Sequence, residues 1–201
     1  MQIERQRAVV DADFFIKLTK YDDRNATLFQ KIMDELDFQP VMHDYVAHTE
    51  IESFPEIDQL IRDRKIIVLK DKDFITDENR EDYEEYFVDA FLQMNKYPFP
   101  EGEDLYTYSC EDESLGEIRS VFLAKAMRYP LFMSDDGNAK RLAERNSTSK
   151  QPLATWNIYE TLKRCKDRGT SIRLKLLNPT IANVFRDRQD MLKELQRLYG
   201  E

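Results

Sequence analysis

Residues 8–16, Ala8-Val9-Val10-Asp11-Ala12-Asp13-Phe14-Phe15-Ile16, decide how the rest of this chain is read. Three apolar residues stop at an acid, and an apolar helix start follows with Phe14, Phe15 and Leu18. A short strand that runs directly into a helix is the building unit of a parallel sheet.

The unit recurs outward from there. Pro40-Val41-Met42 forms a second short strand, after which Asp44 caps a helix to about residue 54 that Pro55 ends; Pro55 then opens a short helix through Ile57, Leu60 and Ile61. Ile66-Ile67-Val68-Leu69 is a β-branched run that predicts a buried central strand. Leu131-Phe132-Met133 is the next strand, and a basic helix follows Ser134-Asp135-Asp136 to about residue 146. Helical spacing predicts further helices over 26–36, 81–95, 114–129 and 153–168, and one from Pro179 to just before Gly200. Residues 96–113 contain Pro98, Pro100 and Gly102 and read as a loop.

Strands alternating with helices predict an α/β fold: a three-layer α/β/α sandwich around a central, mostly parallel sheet, with C-terminal helices added. No linker divides the chain. The expected organisation is a body over 1–149, with an acidic helical insertion at about 71–113, and a helical extension over 150–201 packed on the same domain.

Composition narrows the function classes. With 201 residues, 41% of them hydrophobic and 34% charged, the chain is expected to be globular rather than disordered. No apolar run reaches membrane-span length and no secretory signal precedes residue 8, so a cytoplasmic location is expected. Cys110 and Cys165 stand far apart, and His43 and His48 are the only histidines, at i, i+5. A zinc site and a histidine-based triad are therefore disfavoured, and carboxylates must do any chemistry. The net charge of −9 hides a split: residues 71–113 carry fifteen acids and three bases, and residues 137–188 carry twelve bases and four acids. The ordinary reading is two solvated faces; the sharper one is a basic wall for phosphates.

Ligands of an open parallel sheet bind at the carboxyl ends of its strands. Two strands here end in acids, at Asp11 with Asp13 beyond it, and at Asp135-Asp136. If these strands are neighbours, their carboxylates converge and favour a hard cation such as magnesium or manganese. Glu50, late in its helix, faces the sheet rather than bulk water. Glu117 and Asp136 each have a simpler explanation, as a first-turn acid and a helix cap. The case rests on all of them together.

In that joint arrangement the chain resembles the PIN-type metal-dependent ribonucleases. The opening Val9-Val10-Asp11-Ala12-Asp13-Phe14-Phe15-Ile16 is similar to their first motif, and Val46-Ala47-His48-Thr49-Glu50-Ile51 to their second. Leu115-Gly116-Glu117-Ile118 through Ala124 resembles the Gly-Glu motif of one branch. Leu131-Phe132-Met133-Ser134-Asp135-Asp136 with the basic helix after it resembles the last motif. The four follow in the family's order over roughly 8–146. Asp13 stands where many members carry Asn, Ser or Thr, Arg119 where the branch often has a second acid, and the connection 71–113 is longer than usual.

The resemblance implies an endoribonuclease that uses one or two Mg2+ or Mn2+ ions to activate and orient a water at phosphorus, leaving a 5′-phosphate and a 3′-hydroxyl. It implies Asp11 and Asp136 as direct ligands, Glu117 as a ligand or bridge, and Glu50 as the group that orients the water. Asp13 and Asp135 are secondary ligands, and Ser134 positions the last carboxylate. Lys140, Arg141 and Arg145 on one helix, and Lys163 and Arg164 on another, are the expected phosphate contacts. Trp156 is a candidate for base stacking and, more commonly, a core residue. The implied partners are RNA and, if the chain is the toxin of a toxin–antitoxin pair, a small protein inhibitor; a homodimer is left open. Two rivals stand beside this reading. A haloacid dehalogenase-type phosphatase would use Asp11 as nucleophile, although Phe15 departs from its motif. A noncatalytic PIN-like module would only bind RNA or protein.

Overall fold

The computed structural model describes residues 5–19, 25–52, 54–110, 114–169 and 184–199. The elements begin with β1 (Gln6–Val10), α1 (Ala12–Thr19), α2 (Asn25–Glu35) and β2 (Phe38–His43). A π-helical turn (Val46–Glu50) leads to α3 (Pro55–Arg62), β3 (Ile67–Leu69), α4 (Asp71–Phe74) and α5 (Arg80–Asn95). Then come α6 (Leu115–Ala126), β4 (Leu131–Met133), α7 (Gly137–Asn146), β5 (Ala154–Trp156), α8 (Ile158–Asp167) and α9 (Gln189–Tyr199).

The five strands form one all-parallel sheet in the order β3-β2-β1-β4-β5. The chain winds from β1 to β2 and β3 on one side, then crosses back to β4 and β5 on the other. The direction of winding therefore reverses between β1 and β4, and a crevice at the carboxyl ends of these two strands follows from that reversal.

Residue alternation along the strands builds the three layers. Ala8, Val10, Met42, Leu131 and Met133 point to the face covered by α1, α2, α8 and α9, where Phe14, Phe15, Ile32 and Leu195 pack. Val9, Val41 and Phe132 point to the opposite face, under Phe87, Phe91, Val121 and Leu142 of α5, α6 and α7. Tyr83, Phe87 and Phe91 are fully buried. The acidic stretch thus supplies one wall of the second core, while its charges remain on the outer side of α5.

Four expectations are corrected. Ile67–Leu69 is an edge strand, hydrogen-bonded to β2 alone and half-buried along its length. The predicted helix over 153–168 is a strand followed by a helix. Ala154–Trp156 pairs with β4, and Asn157 starts α8 by accepting from Glu160 N–H while the Glu160 carboxylate accepts from Asn157 N–H. The region from residue 150 on therefore contains a strand of the central sheet as well as helices. The last helix is not continuous over its described part: residues 185–188 break it before α9. Its expected start at Pro179 lies outside the described residues. The helix after β2 is also shorter than expected, ending at Glu50 in a wide π turn. No helix among the described residues is long and apolar enough to cross a membrane.

Candidate functional site

Parallel register puts the ends of β1 and β4 side by side, with Val10 opposite Met133. Asp11 N–H donates to Met133 O at 3.0 Å, which continues the ladder one step beyond the strand. The Asp11 side chain is consequently held at the crevice, only 1% exposed. The Ser134 hydroxyl donates to Asp11 Oδ2 at 2.8 Å and accepts from Asp136 N–H at 3.1 Å, tying the two strand ends together. Asp11 Oδ1 is buried and has no hydrogen-bond partner among the described residues. A buried carboxylate oxygen without a donor is costly, and a proton or a cation relieves that cost.

The other acids arrive from separate elements. Glu50 ends the π turn after β2, a kind of irregularity often found at functional sites. Its carboxylate lies against Gly116: a Cβ there would stand 2.2 Å from Glu50 Oε1. Any side chain at this position would displace the Glu50 carboxylate. The next residue, Glu117, is in the first turn of α6.

Electrostatics ties these groups into one set. Burial pushes the Asp11 carboxyl well above the usual carboxylate range; the charge of Glu117 adds to this, the Ser134 hydroxyl opposes it, and Asp13 adds a little more. Glu50 is pushed up to about 7, first by burial and then by the charge of Asp11, against the pull of Gly116 N–H and Arg119. Glu117 is likewise pushed up to about 7, by burial first, then by Glu50, with Asp136 and Asp13 contributing. Asp11, Asp13, Glu50, Glu117 and Asp136 therefore act on one another's charge at this end of the sheet.

They are not equally uncommitted. Asp136 caps α7, its Oδ1 accepting from Asn138 N–H at 2.6 Å and Ala139 N–H at 2.8 Å. Asp13 is ion-paired with Lys17 at 2.8 Å. Asp135, expected as a secondary ligand, is fully engaged elsewhere. Its buried side chain takes Lys17 Nζ at 2.9 Å, the Arg188 guanidinium through both oxygens, and Ile158 N–H at 3.3 Å. As the side chains stand, no three His, Cys, Asp or Glu groups among the described residues form a metal cage.

Most of the expected phosphate contacts lie away from the acids or are engaged. Lys140 pairs with Glu160 at 3.2 Å and Arg141 bonds Asn138. Arg145 bonds Gln93 at 3.0 Å, beside a groove between α5, α6 and α7. Lys163 pairs with Glu194 at 2.9 Å. Arg164 covers the Trp156 ring at 4.1 Å, and Phe38 meets that ring edge-on, so Trp156 is half-buried packing.

Two contacts were not singled out from the sequence, and a third residue, Arg119, was noted there only as a departure from the resembled motif. Lys17 bridges Asp13 and Asp135 beside the crevice; only its i, i+4 spacing from Asp13 hinted at this. Arg188 joins the C-terminal region to Asp135, and nothing local signals that contact. Arg119, which stands where the resembled branch carries an acid, is buried, donates to Leu105 O and Tyr108 O, and lies over the Tyr45 ring at 4.8 Å. Beside it, Asp71 Oδ1 contacts His43 Nε2 at 3.0 Å; because Tyr45 N–H donates to His43 Nδ1, it is Nε2 that donates to Asp71.

No family model matches the chain, and neither a curated protein nor a solved structure does.

Proposed function

We propose that the chain is a divalent-metal-dependent endoribonuclease of the PIN-like kind. The observation that carries this reading is the unpartnered, buried Asp11 Oδ1, surrounded by carboxylates of raised proton affinity at the switch point of a parallel sheet. The donors are all carboxylate oxygens, which suits Mg2+ or Mn2+ and disfavours a soft metal.

Asp11, Glu117 and Asp136 would hold the ion, with Asp13 able to join if Lys17 lets go. When bound, it would supply positive charge to the phosphate oxygens and make the attacking water more acidic. Ser134 keeps Asp11 Oδ2 turned toward β4, which leaves Oδ1 for the crevice. Glu50, titrating at about 7, suits proton uptake from the water at neutral pH; Gly116 N–H fixes its orientation. The water oxygen bonds to phosphorus in line, the P–O3′ bond breaks, the 3′-oxygen leaves and takes a proton from solvent water to become a hydroxyl, and the phosphate stays on the 5′ side. Lys140 and Arg141 on α7, next to Asp136, are the bases best situated to steady the strand.

The test is hydrolysis of single-stranded RNA in Mn2+ by the wild type, Asp11→Asn and Glu117→Gln. Each substitution should lower the rate on the order of 10³-fold and leave RNA binding in place. A rate unchanged by either substitution overturns the assignment.

A further inference from the structure

A groove of about 450 Å3 runs between α5, α6 and α7. Both α6 and α7 start at the carboxyl ends of the strands, near Glu117 and Asp136, and the groove is lined by their later turns. None of the five carboxylates of the candidate site lines it. Its α5 wall carries Asp82, Glu85 and Asp89, at i, i+3 and i+7 on one helix face, and all three residues are exposed. Among the described residues, none of these carboxylates is in an ion pair or a hydrogen bond; the charge of Asp82 acts on Lys125 without a close contact. The cation in the wall, Lys125, is turned to Asn146 Oδ1 at 3.0 Å and lies over the Tyr86 ring at 5.0 Å.

Charge alone would mark only a solvated face, but two apolar features accompany it. Tyr86, Phe122 and Leu142 supply apolar lining. Val88 and Leu92 follow Glu85 by three and seven residues, so they stand along the rim, 44% and 48% exposed. With Tyr97, just past α5, they are three of the four large apolar side chains exposed among the described residues. The charges then choose the occupant. A phosphate, an RNA strand or an anionic membrane is repelled by three unpaired carboxylates. A metal ion meets carboxylates strung along two helical turns rather than gathered round one point. A second copy meeting through the same surface opposes acid to acid. A helix with Lys or Arg at i, i+3 and i+7 fits: its charged heads reach the carboxylates, its aliphatic stems lie on Tyr86 and Phe122, and apolar neighbours cover Val88 and Leu92.

We propose that this groove docks a basic amphipathic helix of a partner protein. The line of acids on α5 fixes the register of that helix, and the apolar lining and rim supply the area it buries. The inference stands apart from the nuclease reading, because the groove contains none of the crevice carboxylates.

The probe is a fluorescein-labelled, alanine-rich helix of about 15 residues, with three lysines at i, i+3 and i+7 and two leucines beside them. Its control has the same residues in scrambled order. The patterned peptide should bind the full chain about ten-fold more tightly than the scrambled one. It should shift the amide NMR signals of residues 82–93, 122–126 and 142–146. Asp82→Asn combined with Asp89→Asn should weaken its binding about five-fold, and Leu92→Ser, which changes no charge, about three-fold. Glu101→Gln combined with Glu103→Gln, on the loop, removes the same charge and should leave the preference intact. All these positions are exposed, so the variants keep the fold. Equal binding of the two peptides, an equal loss in the loop variant, or signals shifted elsewhere overturns the docking site. So does a homodimer in sedimentation that the Asp82→Asn and Asp89→Asn pair disperses, since a second copy then fills the groove.

Discussion

Two buried aspartates at the same end of the sheet have opposite surroundings. Asp135 is enclosed, but Lys17 and Arg188 both reach it, and a backbone N–H completes its shell. Asp11 is as deeply buried and has one hydroxyl, the backbone of Ala12, one orphan oxygen and the charges of further carboxylates around it. Burial alone therefore does not mark a functional acid. A buried acid supplied with cations holds the fold together; one supplied with more acids holds unspent electrostatic energy that only a proton or a cation relieves.

The comparison breaks most sharply at Gly116. Gly116→Ala forces the Glu50 carboxylate out of its place without touching either aspartate. RNA cleavage should fall about 100-fold, since a displacement of about 1 Å is enough for that, with only a small change in melting temperature. A fully active Gly116→Ala protein would separate Glu50 from the reaction.

Next in size is the contrast of two like substitutions. Asp135→Asn leaves Lys17 and Arg188 without their shared anion and should lower stability by about 2 kcal/mol, discounted because both cations are partly exposed. Asp11→Asn should leave the metal-free stability unchanged or raise it. Urea titration of the two variants measures both, and a Asp11→Asn protein that loses as much as Asp135→Asn would contradict the account of Asp11.

The smallest effect is the pH dependence of the metal-free protein. Glu50 and Glu117 bind their protons more tightly in the folded than in the unfolded chain, with folded values of about 7. Between about pH 4.5 and pH 7 the unfolded chain therefore releases protons first, and folding stability falls as pH rises through that window, levelling off above it. The loss should be smaller in Glu50→Gln and, if the proposed site takes a cation, offset above pH 7 by Mn2+. Thermal melts across this range with and without Mn2+ supply the measurement.

Much of this architecture is legible in local sequence. Val9-Val10-Asp11 and Phe132-Met133-Ser134 show strands ending in polar groups, and the alternation with helices is enough to expect a parallel sheet. The faces misread were those where periodicity is ambiguous. Residues 153–156 are too short to distinguish a strand from the first turn of α8, and the β-branched run at Ile66–Leu69 looks central because sequence does not reveal which side of a strand lacks a neighbour.

What the sequence determined by itself is the supply of acids and their places at strand ends and helix starts, since both follow from nearest-neighbour spacing along the backbone. Which acid is neutralised and which is not was decided only by tertiary structure. Lys17 meets Asp135 across 118 residues and Arg188 meets it across 53, while among the described residues no cation reaches Asp11 Oδ1. The physical reason is that a carboxylate's energy depends on the charges and water within a few ångströms of it, and those neighbours are brought there by the winding of the sheet.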